Sequence, residues 1–316
     1  MKVQALNLYT TSTYNRSLNQ QNNKPISNPI TKNEIGSFPS YYCPNINFGT
    51  RFGDIDFEFD FYNCANNIIN HHLDKMELTK DLNEAEQKDF RKNLFSGDKP
   101  NLLQFFNDKK PSVLLSSDFP YFKNNDKYDF VRRTLTSTIK DNKTTQFHNT
   151  FIINKELAKE TIKENQELYT KRMGLDNDAS VDDIYEKLVG EDSPLKKQDG
   201  YDDIIGVTLG FSPINCIIFQ LERNLPDRLD LRRRPHIQSE ILKRELYSED
   251  SVYRNFNFPF LTKVENALDD LKRPHGRKID LSNVGYMSIE FVPDPKHTQK
   301  IIRNSEEILE KNRKYL

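Results

Sequence analysis

From Asp54 to Phe61 polar and apolar residues alternate without a break, Asp54, Asp56, Glu58 and Asp60 against Ile55, Phe57, Phe59 and Phe61. Period two over this length predicts a strand with one wet face and one buried face. Beyond it the period changes. Phe90 and Leu94 share a helical stripe that opens at Asn83, with Glu86 three residues on to complete a reciprocal cap, and stops at Ser96-Gly97. Tyr128, Val131, Leu135 and Ile139 also recur at helical spacing behind Asp126, which predicts a helix there. A longer helix opens at Asn154, carries Ala158, Ile162, Tyr169 and Met173, and ends before Gly174. Ser180 with Asp183 starts a short helix bearing Ile184 and Leu188, closed by Gly190.

The stretch 199–224 is the most apolar in the chain. Ile204, Ile205, Val207, Leu209 and Phe211 surround Gly206 and Gly210; Ser212-Pro213 then launches Ile214, Ile217, Ile218 and Leu221. Asp202-Asp203 suit the first turn of a helix, so the reading favoured here is a buried helical hairpin over a strand-turn-helix joint. Downstream, a helix begins at Pro259 with Phe260, Val264, Leu268 and Leu271. Tyr286–Val292 reads as a strand, and an amphipathic helix with Ile301, Ile302, Ile308 and Leu309 closes the chain. Short apolar runs at Ser112–Leu115 and Phe147–Ile153 are further strands. Strands scattered among helices, without a regular βαβ rhythm, predict a helix-rich α+β domain with a small mixed or antiparallel sheet and a central helical hairpin.

Composition sets the boundaries. Only 35% of the 316 residues are hydrophobic, but 46 basic and 47 acidic side chains nearly cancel, and 21 Phe and 14 Tyr supply large surfaces to bury. Wholesale disorder needs high net charge and few aromatics, so a globular core is expected. The polar positions are spread along charged helix faces such as 79–93 and 154–172. Residues 1–47 hold a single acid, Glu34, and are crowded with Asn, Ser, Thr and Pro. They read as a flexible or loosely packed tail ahead of an α+β domain over 48–316. No apolar run approaches the roughly 18 residues of a membrane span, and no apolar leader opens the chain, so the expected compartment is the cytoplasm. Cys43, Cys64 and Cys216 are widely spaced and odd in number, which writes neither a disulfide framework nor a zinc ribbon.

Two constellations carry candidate chemistry. Arg223, Arg228, Arg232, Arg233, Arg234 and His236, continued by Lys243 and Arg244, form the densest basic run. Planar guanidinium forks match carboxylate and phosphate oxygens, and Tyr247, Tyr253 and Phe256 follow closely, a mixture that also suits nucleic acid. Asp227, Asp230 and Glu240 are interleaved and offer these cations local partners instead. The second constellation is Asp54 and Asp56, which share one face of the strand and can together hold Mg²⁺ or Mn²⁺ against phosphate oxygens. With Gly49-Thr50 upstream, the order of residues resembles the nucleotidyltransferase motif. It departs from that family in spacing, since Gly49-Thr50 lies only three residues before Asp54 where the family places roughly ten, and it offers no convincing third carboxylate. The plainer alternative is an acidic wet face that discourages edge pairing.

The remaining motifs are silent. His71-His72 are adjacent, so their rings diverge, and His148, His275 and His297 are isolated. No Gly-rich phosphate loop, Gly-x-Ser-x-Gly or exposed electropositive cysteine appears. The expectation is a non-enzymatic intracellular binding protein whose Arg-rich segment contacts an acidic protein or a phosphorylated or nucleic-acid ligand. A metal-dependent phosphoryl or nucleotidyl transferase built on Asp54 and Asp56 is the alternative.

Overall fold

The computed structural model describes residues 67–73, 77–95, 99–139, 143–197, 199–223, 225, 234–272 and 291–312. The tail at 1–47, the strand expected at 54–61 with Asp54 and Asp56, and Arg228, Arg232 and Arg233 lie outside these residues. So does most of the strand expected at 286–292. Within them the fold is α+β and helix-rich. A helical stretch at 67–73 leads to α1 (Glu84–Phe95) and α2 (Lys99–Phe106), then to β1 (Ser112–Leu115), β2 (Tyr128–Ile139) and β3 (Lys143–Asn154). After the sheet come α3 (Lys155–Glu164), α4 (Gln166–Met173), α5 (Val181–Val189), α6 (Asp202–Thr208), α7 (Pro213–Arg223), α8 (Pro235–Tyr247), α9 (Phe258–Asp270) and α10 (Pro295–Lys311).

The sheet is antiparallel, in the order β1-β3-β2. It works as a partition. On one face, Val131, Phe151 and Ile153 join the larger core with α3 to α9; on the other, Ile152, Tyr128, Val113 and Leu115 join a smaller one with α1 and α2. The smaller core is aromatic: Phe90 lies edge-on to Phe119 and Phe122, at 5.3 Å and 4.8 Å between ring centroids, and Phe122 stacks on Phe130 at 4.7 Å. Such offset and edge-on geometries align ring quadrupoles favourably.

The helix starts follow the chemistry of their first residues. The Asn83 side chain accepts from the Glu86 N–H at 3.0 Å while Glu86 accepts from the Asn83 N–H at 2.9 Å. Ser180 and Asp183 make the same reciprocal pair at 3.1 Å each way. Asn154 caps α3 through Leu157 N–H, although the long helix predicted from it breaks at Asn165 into α3 and α4; Gly174 then closes α4 with φ 62°. The helical hairpin is α6 and α7, and it lies within the larger core. Gly210, at φ 78°, turns between them, and a Cβ there would meet Pro111 Cδ at 3.0 Å.

The structure corrects the element at 126–139, which is β2 and not a helix. The side chains of Tyr128, Val131 and Leu135 are buried as their helical spacing implied, but they reach different cores across a strand. The inward positions of β2 are 129, 131, 133 and 135, and two of them hold the buried charges Asp129 and Arg133. Tyr185 Oη donates to Asp129 at 2.7 Å and Lys155 lies 3.3 Å from it, so the carboxylate is satisfied where an apolar residue would complete the alternation. Phe291 and Val292 are bent, not strand, and the Asn215 side chain serves as their partner: its Oδ1 accepts from both N–H groups and its Nδ2 donates to Val292 O at 3.0 Å.

Candidate functional site

The basic run divides where α7 ends. Arg223 turns inward: its guanidinium donates to Asp202 and, at 2.5 Å, to Asp199, and its side chain is only 9% exposed. Asp202 and Asp203 open α6, the first turn that their charge predicted. Asp203 is fully buried and accepts from Arg172 Nε at 2.6 Å and Nη2 at 3.2 Å, from Tyr253 Oη at 2.6 Å, and from its neighbour's Ile204 N–H at 2.9 Å. Arg172 also donates to Gly200 O, with Tyr201 and Tyr253 rings 5.2 and 5.6 Å from its guanidinium carbon. Gln220 Oε1 accepts from the Asp202 N–H at 2.8 Å.

These contacts set the electrostatics. Burial pushes the Asp202 carboxyl above its usual range, and Arg223 pulls it back in part. Burial and the charge of Asp203 hold the Tyr253 hydroxyl far above the ordinary tyrosine value. Burial works against the charge on Arg172, yet the carboxylate of Asp203 holds it above the usual value. The cluster ties α4, α6, α7 and the segment before α9 together. Asp203 is fully buried, whereas Asp199 at the other end of the cluster is largely exposed.

The outer half of the run sits on α8. Gln238, Ser239, Leu242 and Leu246 face inward, with Gln238 Nε2 donating to Glu222 Oε1 at 3.0 Å and Ser239 Oγ to Leu268 O at 2.7 Å. One flank of α8 is zipped to α9: Lys243 lies 2.7 Å from Asp269 and 3.6 Å from Glu265, and Tyr247 Oη donates to Glu265 at 2.8 Å. Glu240, interleaved with the arginines in sequence, pairs instead with Lys272 at 2.5 Å. That ammonium holds the Glu240 carboxyl below the usual range, and the lysines at 243 and 272 do the same for Asp269. Arg234, His236 and Arg244 are exposed, and among the described residues none of the three has an ion-pair partner. Ile237 and Tyr247, 47% and 48% exposed, lie beside them on α8.

Elsewhere the described residues hold no group of three His, Cys, Asp or Glu able to bind a metal ion. Cys216 is buried on α7. His148 is exposed and hydrogen-bonded to Thr134 at 3.2 Å, whereas His297 is half-buried at the start of α10. Asn101, Lys110, Val113, Leu114, Leu209 and Phe211 line a small open pocket of about 30 Å³, large enough to admit water. Lys110 donates to Asn101 at 2.7 Å beside it and lies 4.4 Å from the centre of the Phe211 ring.

The sequence singled out Arg223 as a candidate contact but gave no sign that Asp199 and Asp202 hold it, nor that Arg172, Asp203 and Tyr253 meet. The doublet of acids at 202–203 inside the most apolar stretch was the available signal, since acids in such a setting require buried cationic partners. No helix of the described residues is long and apolar enough to cross a membrane. No protein-family model, curated protein or solved structure matches this chain.

Proposed function

We propose that this chain is a non-enzymatic intracellular binding protein, and that Arg234, at the N-cap of α8, and His236 and Arg244 on α8 contact an acidic or phosphorylated partner. One observation carries the reading: these cations are exposed and unpaired among the described residues, while the acid interleaved with them, Glu240, is engaged by Lys272. Two fixed positive charges, with an imidazole between them, favour anionic ligands. Arginine forks add geometric preference for carboxylate and phosphate oxygens. The exposed Ile237 and Tyr247 supply adjacent apolar surface, so a protein segment suits the face better than a free anion. Arg232 and Arg233 belong to the same basic run of the sequence.

Fluorescence anisotropy with a poly-glutamate peptide and with a phosphoserine peptide tests it. Binding should strengthen as ionic strength falls and weaken at least tenfold when Arg234 and Arg244 are both changed to Ala. Absence of binding to both peptides at low salt, or unchanged binding by the double variant, ends the proposal.

A further inference from the structure

The ladder between β2 and β3 runs unbroken from Tyr128↔Asn154 to Ile139↔Lys143, whereas β1 pairs with β3 only from Leu115↔Thr150 to Ser112↔Ile153. Beyond Thr150 the sheet is therefore a two-stranded ribbon. The chain after β1 does not continue along that edge. It crosses the outer face, where Thr150 Oγ1 donates to Ser117 O at 2.9 Å and Arg132 Nη2 donates to Pro120 O at 3.1 Å. The parity of the edge is fixed by Asn154, whose N–H donates to Pro111 O on the β1 side at 2.9 Å. Even-numbered residues of β3 turn their backbone groups to that side, so Gln146 and His148 present theirs past the end of β1. No strand among the described residues continues the ladder there.

Natural sheets guard such edges with charge, Pro or a covering element. Among the described residues no element covers this one, residues 134–139 and 144–154 contain no Asp, Glu, Lys, Arg or Pro, and Lys143 at the start of β3 is its one charge. Thr134, Gln146 and His148 are exposed, and so is Phe147, 48% open at the outer end of the inward-facing row. A two-stranded ribbon is marginal alone, and a third strand is the ordinary remedy.

We propose that this edge of β3 pairs antiparallel with the same edge of a second copy of the chain, about a two-fold axis at Gln146. With Lys143 at its outer end as the one charge, the edge gives an acidic or basic partner little to recognise, whereas a second copy meets it with matching polar residues and sets Lys143 opposite Asn149, so no like charges face each other. With the axis at Gln146, Gln146 lies opposite its own counterpart, His148 opposite Thr144, and Phe147 opposite Thr145 on the inward face. That register covers the exposed ring. The same edge placed against β2 of another copy would leave Phe147 without this symmetric cover. The contact is small, so association is concentration-dependent. It is separate from the basic face of α8 and stands or falls independently of it.

Sedimentation velocity of the full chain over a concentration series tests the pairing. The mean mass should rise toward that of a dimer. Gln146→Lys and Gln146→Glu each place like charges across the axis and should stay monomeric, while an equimolar mixture of the two variants should dimerise again. Gln146 is exposed, so neither variant threatens folding, and matching circular dichroism spectra check that. A wild-type chain that is monomeric throughout overturns the proposal and leaves the edge to an extended segment of some other protein. Dimerisation unaffected by Gln146→Lys, or a mixture that fails to recover, overturns it as well.

Discussion

Arg172 holds Asp203 through two parallel hydrogen bonds, Nε to Oδ2 at 2.6 Å and Nη2 to Oδ1 at 3.2 Å, with the carboxylate wholly out of solvent and the arginine side chain 6% exposed. A buried pair of this kind contributes little net stability when intact, because desolvation offsets most of the attraction. Removing one partner is different. Arg172→Met leaves the Asp203 charge with Tyr253 as its remaining side-chain partner, and urea denaturation should show a loss of about 3–5 kcal/mol. Tyr253→Phe removes one hydrogen bond to a charged acceptor and should cost less, about 1.5–3 kcal/mol. Equal costs from the two substitutions would mean that the arginine is not the main counter-charge.

How much of this could be read in advance depends on how local each determinant is. The Asn83–Glu86 and Ser180–Asp183 caps were legible because both partners lie within one turn. The hairpin of α6 and α7 was legible because its residues are apolar on nearly every side and punctuated by Gly210. β2 was misread because Asp129 and Arg133 occupy inward positions, which erases the period of two, while Tyr128, Val131, Leu135 and Ile139 happen to fall three or four apart. What makes those inward charges tolerable is Tyr185 and Lys155 for Asp129, and for Arg133 the nearby charge of Asp202. None of these partners is adjacent in sequence, so no periodic pattern announces them. The same reason hid the grip of Asp199 and Asp202 on Arg223. On the α8 half of the run, cations and acids were visible but not their pairing, and the partner of Glu240 lies 32 residues away.

His297 makes stability depend on pH. Burial first, then the nearby charges of Lys110 and Lys300, lower its pKa from 6.5 to about 4, against the opposing pull of Asp294. The folded state thus binds fewer protons than the unfolded chain between these values. Its contribution is complete above about pH 6.5 and is lost as the pH falls toward 4, a total of about 3 kcal/mol at about 1.36 kcal/mol for each pH unit. Asp202 acts in the opposite sense, because its raised pKa makes folding more favourable as acid protonates it. The measurement is therefore a difference: urea melts of the wild type and His297→Gln at pH 7 and pH 5. The wild type should lose more stability between the two, and parallel losses would exclude His297 as the source.

Gly174 and Gly210 both take positive φ, 62° and 78°, but only Gly210 is crowded. Gly174 has nothing within 4 Å of an added Cβ, whereas Gly210 would place it 3.0 Å from Pro111 Cδ and 3.3 Å from Lys110 Cγ. An L residue in the left-handed region costs about 1–2 kcal/mol. Gly174→Ala should show that cost alone. Gly210→Ala should cost about 1–3 kcal/mol more, since the proline ring is fixed and the hairpin turn must move. Thermal melts that rank the two variants the other way would show that the Pro111 contact relaxes freely.

Within the basic run, Arg223 and the pair Arg234 and Arg244 should separate stability from binding. Arg223→Ala strands Asp202, a buried carboxylate whose pKa burial already raises. It should lower stability by several kcal/mol, about 3–5 by analogy with other broken buried pairs. Exposed arginines without ion-pair partners contribute little to folding, so Arg234→Ala and Arg244→Ala should each change stability by no more than about 0.5 kcal/mol. Their effect belongs to binding: affinity for an acidic peptide should fall, and its dependence on salt should flatten, because two of the charges that the ligand meets are gone. If instead Arg223→Ala weakens binding while leaving the melting temperature unchanged, the guanidinium is not committed to Asp199 and Asp202 in solution. The basic face would then begin at the end of α7, and the contact surface would have to be drawn along the whole segment and not along α8 alone.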